Sequence, residues 1–522
     1  MDWRNYPLLL PATCLIAGIL LAEAHIDRMS MLWLLYGSGI AVTTMLGCMV
    51  KKPTPLDMPG ILRSRIFGIA KAVLFLLAGM ALYTGHSKSM SRLTPRDSSV
   101  CQGVISAAAR EKARSWALNI QLDNGARIVT YIGKSKSDPD GQQKDIKAMN
   151  VGDTLTVMLK HVTPTDRRGD SFDTYRRRLM NRGICATAYV PPHMWRHKAC
   201  KAPLTASMSA NNLQHVLHNI YEEHDIDGEE GSIIEAMTIG RTAGIDQQTR
   251  TIYSRAGGSH LLALSGFHVG IVMMMLLLLT RFFLQYRTVR IATNVSIIAA
   301  IWGYAYIAGM SPSLMRATIA CTVVLSGHIL DRFVKPINVC LTCLMIMLCI
   351  APADIFNIGF QLSFLAVTGI CVTSNRIEEE CSRLHRGLRI MANTVAISFV
   401  CSLMTAPVVA HHFGCVPLFS VVTNLLSVAF VYVIVCGCAL WWSTLWIDPV
   451  NNVIGSAITW AAKTMNTLME WIAHLPSATI ELRPDTTTIC IYYLILTIAT
   501  YKILQKTKNR NIQKWFDNTQ KI

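Results

Sequence analysis

Apolar runs long enough to cross a bilayer recur along most of the chain, interrupted once by a polar stretch of more than a hundred residues. The first three cover 8–24, 31–50 and 66–85. A helix needs about 20 apolar residues to span the hydrocarbon core, and each run approaches or reaches that length. The first could pass for a signal peptide. It has only Arg4 as a basic flank and two further runs follow, so it reads as a retained anchor. Apolar runs resume at His260, with spans predicted near 260–284, 291–308, 314–330, 336–351, 358–374 and 390–410. The run 418–447 would make about 45 Å of helix, too long for one upright span; it is either strongly tilted or broken near Gly437, and the break is the favoured expectation. Residues 453–475 contain Lys463, Glu470 and His474 and read as an amphipathic helix in the interface, and 488–504 spans again.

Charges on the links set the orientation. The link 51–65 carries Lys51, Lys52, Arg63 and Arg65, whereas the link after the first span has only Arg28. The positive-inside rule therefore puts 51–65 and the N-terminus in the cytoplasm. In the same register Arg281, Arg287 and Arg290 fall inside, 310–313 outside, Arg332 and Lys335 inside, and 351–357 outside. Arg376, Arg383, Arg386 and Arg389 are again inside, as is a tail with Lys506, Lys508, Arg510, Lys514 and Lys521. Two crossings after 410 would leave that tail outside, so a third is required. A broken 418–447 supplies it; a full crossing by 453–475 is the other solution.

The polar stretch has a different period. Val100–Ser106, Trp116–Leu122, Ala126–Gly133 and Thr154–Val162 are short and rich in β-formers, and Asp123-Asn124-Gly125 marks a hairpin. Such strands predict a small β-barrel, OB-like being one candidate and a small sandwich the other. The expected fold is a multi-span α-helical membrane protein with this β domain inserted on the extracytoplasmic side. Its divisions are three helices over 1–84, the OB-like domain over 85–210 and acidic, amphipathic linker helices over 211–257. A membrane domain over 258–505 and a basic tail over 506–522 complete it.

Composition agrees: 52% of residues are apolar and 16% charged, against roughly 25% charged in soluble domains. This excludes a disulfide mini-protein, a disordered tail and a coiled coil. The net charge of +17 is unevenly spread. The stretch 85–210 holds 21 basic and 10 acidic residues, whereas 211–257 holds 3 and 8. A basic domain beside a membrane has two ordinary partners, a polyanion or an anionic lipid surface. Arg110, Lys112 and Arg114 precede Trp116, and Arg167, Arg168, Arg176, Arg177, Arg178 and Arg182 are interleaved with Phe172 and Tyr175. Basic groups for phosphates and aromatics for base stacking are what a nucleic-acid strand needs; a solvated or lipid-resting face is the plainer alternative. Most of the sixteen cysteines lie in or beside apolar runs, where they act as small hydrophobes. Cys101, Cys185 and Cys200 lie in the polar stretch, and one disulfide among them is left open.

No nucleotide-binding GxxxxGK[ST], HExxH or GxSxG is present, so neither catalytic residues nor a metal or cofactor are expected. Cys340-x-x-Cys343 sits within an apolar run and reads as packing. Polar groups within spans carry more information, because hydrocarbon penalises them. Arg316 costs roughly 3 kcal/mol at a bilayer centre, so it either faces a pathway or snorkels outward. Gln361, Ser363 and Asn424 have interhelical hydrogen bonds as their ordinary reading. The densest cluster is 257–270, with His260, Ser265, Gly266 and His268. Ser265 and His268 are spaced to meet on one helix face, but a nucleophile would need an orienting acid, and the nearest upstream is Asp246. Close packing at Gly266-x-x-x-Gly270, with polar groups facing a cavity, is more economical.

The run from Ala256 to Val269, AGGSHLLALSGFHV, resembles the signature of the ComEC family, the DNA-internalisation channel proteins of natural competence. Met310–Ala317 is similar to its PSxxRA segment, and Gly359–Ala366 to its GFQLSF span. Thr405–Gly414 with Asn424-Leu425-Leu426 resembles a later part, and Phe172–Ala188 the end of an extracytoplasmic OB-like domain. Phe267 replaces the more usual leucine. The resemblance implies an inner-membrane channel passing DNA, as a single strand, into the cytoplasm. His260, Ser265, Gly266, His268, Arg316, Gln361, Ser363 and Asn424 would line it, with the arginine clusters, Lys112 and Trp116 binding DNA outside. Implied partners are DNA, membrane lipid, DNA-receptor proteins and a separate cytoplasmic helicase or ATPase. The HxHxDH of a metallo-β-lactamase-like domain is absent from these 522 residues, so degradation of the other strand is expected from a separate nuclease. The alternatives are a transporter or flippase of another polyanion or a lipid-linked precursor and, more remotely, an intramembrane hydrolase using Ser265.

Overall fold

The computed structural model describes residues 6–25, 60–112, 114–134, 152–165, 183–198, 206–282 and 286–500, with positions 34, 37–38, 40–45, 146, 149, 179–180 and 502. Most of the second expected span and the basic tail lie outside the described residues. Contacts divide the chain into two compact units. One comprises Met1–Gly244, Ala263–Phe364 and Val431–Ala462; the other comprises Ile245–Leu262, Leu365–Phe430 and Lys463–Ile522.

In the first unit, α1 (Leu9–His25) packs on α2 (Gly60–Leu93). The missing Cβ of Gly18 faces the Leu76 carbonyl and that of Gly79 faces the Leu15 carbonyl, so each backbone sits in the other's groove. Helix α2 runs on past its apolar stretch through Lys88 and Arg92 into the β domain.

That domain is a seven-stranded sheet of β1 (Val100–Glu111), β2 (Ser115–Leu122), β3 (Arg127–Gly133), β4 (Thr154–Met158), β5 (Lys160–Pro164), β6 (Ala186–Val190) and β7 (Trp195–Lys198). The order is β5-β6-β3-β2-β1-β4-β7, and only β3–β6 is parallel. Trp116, Leu118, Ile120 and Leu122 alternate inward along β2 and pack with Ile128, Ile132, Leu155 and Val157. The hairpin forms as expected: Gly125 is left-handed at φ 83°, and the Asn124 Oδ1 accepts from the Ala126 N–H. The expected strand Thr154–Val162 is divided, because β4 pairs with β1 and β7 while β5 pairs with β6; the left-handed His161 lies at the change. The described pairing leaves β5 and β7 as edges, so closure into a barrel is not part of it.

Helices α3 (Ala206–Glu223) and α4 (Gly228–Thr238) follow. The acidic run 222–230 is largely exposed, whereas α4 is core, with Ile233, Ile234, Ala236 and Met237 fully buried. Its Glu235, 3% exposed, is held by the His218 Nδ1 at 2.6 Å and the Arg241 Nη1 at 2.7 Å.

The rest of this unit is helical: α6 (Gly266–Thr280), α7 (Arg287–Ile307), α8 (Pro312–Ile329) and α9 (Pro336–Ile350), then a 3-10 turn (Pro352–Phe356) leading into α10 (Ile358–Cys381). Prolines at the first position of α8 and α9 suit a turn whose N–H groups have no partner. The remainder is the end of α12 (Ser420–Ser443) and the start of α13 (Asp448–Ala473). Here the sequence expectation fails: α12 is unbroken through Gly437. The missing Cβ of Gly437 lies 2.9 Å from the Ile458 Cγ1, so this glycine admits α13 rather than ending a helix.

The second unit holds α5 (Gln247–Ala256), the later part of α10, α11 (Arg386–Phe413), the pair β8 (Cys415–Pro417) and β9 (Thr479–Glu481), and α14 (Thr486–Thr500). Pro407 lies inside α11 and has no N–H to give the Leu403 carbonyl. The Tyr492 hydroxyl donates to that carbonyl at 2.9 Å, and the Tyr493 hydroxyl to Met404 O at 2.8 Å.

The segment Ser64–Leu93 and helices α10, α11 and α12 are long and apolar enough to cross a membrane; α1, α6, α9 and α14 are apolar but shorter. This is a membrane protein.

Candidate functional site

Three separated motifs meet in the first unit. The first opens α6. The Ser265 Oγ accepts from the Phe267 N–H at 3.3 Å, and the Ser265 N–H donates to the His268 Nδ1 at 3.3 Å. This reciprocal pair is a capping box, with histidine where glutamate is usual. Because Nδ1 accepts from the backbone, it also accepts from the Ser265 hydroxyl, 3.0 Å away. The serine–histidine contact foreseen from spacing is therefore made, and helix capping accounts for it.

Beside this cap lies Arg316, one turn into α8 and 9% exposed. It points inward and does not snorkel. Its Nε donates to the Ser363 Oγ at 2.6 Å, its guanidinium lies 5.9 Å from the Phe364 ring centroid, and the Ser313 Oγ is 3.2 Å from the Ser363 Oγ. Gly266 makes room for it: a Cβ there would meet the Arg316 Nη2 at 2.8 Å and the Ala317 Cβ at 3.2 Å. Gly270 has nothing within 4 Å, so the Gly-x-x-x-Gly reading holds for its first glycine alone. Ser363 makes the interhelical bond expected of it. Among the described residues Gln361 makes no side-chain bond to another span; its Nε2 donates to Ile355 O at 2.9 Å, tying the start of α10 to the preceding turn. Ser313 and Phe364 were not singled out from sequence, although both sit within the motifs that carry Arg316 and Ser363.

His260 and Asn424 belong to the second unit, where they lie beside each other. The Asn424 side chain hydrogen-bonds the His260 ring, while its Oδ1 is buried without a partner among the described residues. The glycines before His260 have packing roles. Gly257 ends α5 at φ 83° with the Ser420 Cα 2.9 Å from its missing Cβ, and Gly258 packs on the Met469 sulfur.

The residues expected to hold DNA are divided. Lys112 and Arg114 are exposed, and the Lys112 Nζ lies 4.6 Å from the Tyr131 ring centroid. Arg110 is on β1, paired across from Ala117. Trp116 is 4% exposed within the sheet core, so it offers no face to a base. Its alternation with Leu118, Ile120 and Leu122 carried that signal. Arg167, Arg168, Arg176, Arg177, Arg178 and Arg182 lie outside the described residues.

Apolar helices around a buried arginine, with glycine and hydroxyl groups shaped to it, define a membrane protein with a polar interior contact. The chain belongs to the Competence protein family, whose model matches residues 237–506, just over half of it. It is similar to ComE operon protein 3 of Bacillus subtilis (strain 168), 27% identical over 200 residues, covering 38% of this chain and 24% of that protein. It is also similar to Recombination protein 2 of Haemophilus influenzae (strain ATCC 51907 / DSM 11121 / KW20 / Rd), 29% identical over 178 residues, covering 32% and 21%. The matched segments thus span about a quarter or less of these relatives' lengths. No solved structure matches the chain.

Proposed function

We propose that the chain forms a conduit in the bacterial inner membrane that passes DNA, as a single strand, into the cytoplasm during natural transformation. The observation that carries this is the meeting of Gly266, Arg316 and Ser363 inside the region matched by the Competence family. Polar groups there substitute for water around a passing phosphate, as pore linings do. Arg316, Ser363, Gln361, Ser265, Gly266 and His268 form this lining, and His260 with Asn424 makes a separate polar contact for the strand. The basic β domain acts outside the cytoplasm, engaging phosphates through Arg110, Lys112 and Arg114 and through the arginines between 167 and 182; Trp116 has no part in it. Energy comes from a separate cytoplasmic helicase or ATPase, and a separate nuclease removes the other strand. With α12 unbroken, a cytoplasmic tail requires α13 to cross, making the protein multi-pass.

Labelled duplex DNA supplied to a deletion strain tests the proposal, under conditions where the parent transforms. DNA held outside the inner membrane with none in the cytoplasm, restored by the parent gene and not by Arg316→Gln, is the expected result. Unchanged cytoplasmic uptake overturns it and favours a transporter of another polyanion or of a lipid-linked precursor. For the outer domain, charge reversal of Arg176, Arg177 and Arg178 should flatten the salt slope of DNA binding by about 0.7 for each phosphate no longer neutralised.

A further inference from the structure

An open cavity of about 410 Å³ lies well away along the same helices, where α6 ends, α7 begins and α8 runs into the following loop. Arg290, Asn294, His328, Asp331, Arg332 and Phe333 line it. The Arg290 Nη2 donates to the Asp331 Oδ1 at 2.7 Å, but its Nε is buried with no partner among the described residues. Asn294, one helical turn on from Arg290, is 2% exposed on the same wall. A buried guanidinium donor thus goes unsatisfied at this cavity, and burying such a group is costly unless something accepts from it. Arg332 is exposed and pairs with no carboxylate among the described residues. The loop is folded tightly to present it: Asp331 is left-handed at φ 51°, and Gly327 leaves no room for a side chain against Val334. Among the described residues Asp331 is the one carboxylate on the wall and it pairs with Arg290, which leaves Arg332 without a counter-ion there.

We propose that this cavity binds the phosphate of an anionic phospholipid headgroup. Its donors match the chemistry: two guanidinium groups and an amide line the same cavity, and guanidinium is well suited to phosphate oxygens. Its rim matches the lipid. Leu278, Leu279, Phe282 and Leu330 are all exposed at this end of the helices, and Phe333 is 92% exposed. A free strand threading an exit would meet alkyl groups it has no use for, whereas acyl chains lie along them while the headgroup turns into the cavity. Basic pockets between helix ends are a recurrent form of lipid recognition.

The purified full chain in detergent, analysed by native mass spectrometry with dioleoylphosphatidylglycerol or dioleoylphosphatidylcholine, tests this. Retention of phosphatidylglycerol over phosphatidylcholine is expected, weakened about tenfold in Arg332→Gln. Lys335→Gln, which removes a charge from the same link but not from the cavity, should leave retention unchanged. Equal weakening by both variants, or none by Arg332→Gln, overturns the proposal. Two competitors assign the source. Displacement of the lipid by inorganic phosphate alone overturns the lipid assignment in favour of a free anion. Displacement by a short single-stranded oligonucleotide overturns it in favour of the strand. Because Arg332 is exposed and carries no ion pair among the described residues, its variant folds whatever the outcome for Arg290→Gln.

Discussion

Replacing Gly266 with alanine puts a methyl carbon 2.8 Å from the Arg316 Nη2 and 3.2 Å from the Ala317 Cβ. Comfortable contact begins near about 3.5 Å, so both approaches are too short. The guanidinium is a chain end and can swing, but it is held to Ser363 at 2.6 Å. The Ala317 carbon is fixed to α8 and moves only with the helix. Relief therefore comes by drawing Arg316 off Ser363 or by pushing α6 from α8. Overpacking costs about 1–3 kcal/mol, and breaking a hydrogen bond to a charged group a similar amount. One relieves the other, so a total near about 2 kcal/mol is expected. Gly270→Ala, one turn on, meets nothing within 4 Å and is expected within about 0.5 kcal/mol of the parent. Thermal unfolding of the purified protein in detergent reads the difference, and DNA uptake by strains carrying each variant reads its consequence. In an Arg316→Ala background the cost of Gly266→Ala should fall by half or more, because the shorter of its two clashes is gone. Equal effects at the two glycines, or an undiminished cost without Arg316, would refute the packing account of this site.

Tyr492→Phe should cost about 0.6–1.7 kcal/mol, since it strips the Leu403 carbonyl of its donor, and the loss should vanish in a Pro407→Ala background where the helix supplies an N–H again; a double-mutant cycle by thermal unfolding decides it. Burial pushes the Asp354 carboxyl up to about 6 in the turn between α9 and α10. The unfolded chain ionises near 3.8, so stability is greatest below that pH and is lost as the pH rises through about 6. Asp354→Asn should flatten the pH dependence of unfolding between those values, and an unchanged profile would count against a buried carboxyl. Cysteines placed at Asp448 and His474 should react with impermeant thiol reagents from opposite sides of the membrane, because α13 has 26 residues and a length of about 39 Å. Labelling of both from one side would lay the helix in the interface.

How much of this could be read from the chain follows from what each feature depends on. Hydrocarbon offers no water to an unpaired N–H or C=O, so a span must be a run of apolar residues closed on itself as helix, and that is a property of the segment alone. The positions of α1, α7, α8, α9 and α11 were legible for this reason to within a few residues. The Asp123-Asn124-Gly125 hairpin was legible too, because its left-handed glycine is a local demand. Even the burial of Trp116 was written in the alternation along β2, although its basic neighbours suggested an outward face. Other features have no local cause. Gly437 reads as a helix breaker until Ile458, on another helix, occupies the space beside it. Gly266 and Gly270 are equivalent in sequence and differ only in what lies opposite. Arg316 would snorkel from a lone helix; it turns inward because Ser363 and Phe364 arrive from α10 and Gly266 from α6. Periodicity is set by one segment and its solvent. Close approach and polar satisfaction are set by partners distant in the chain, and only the folded arrangement brings those to the same place.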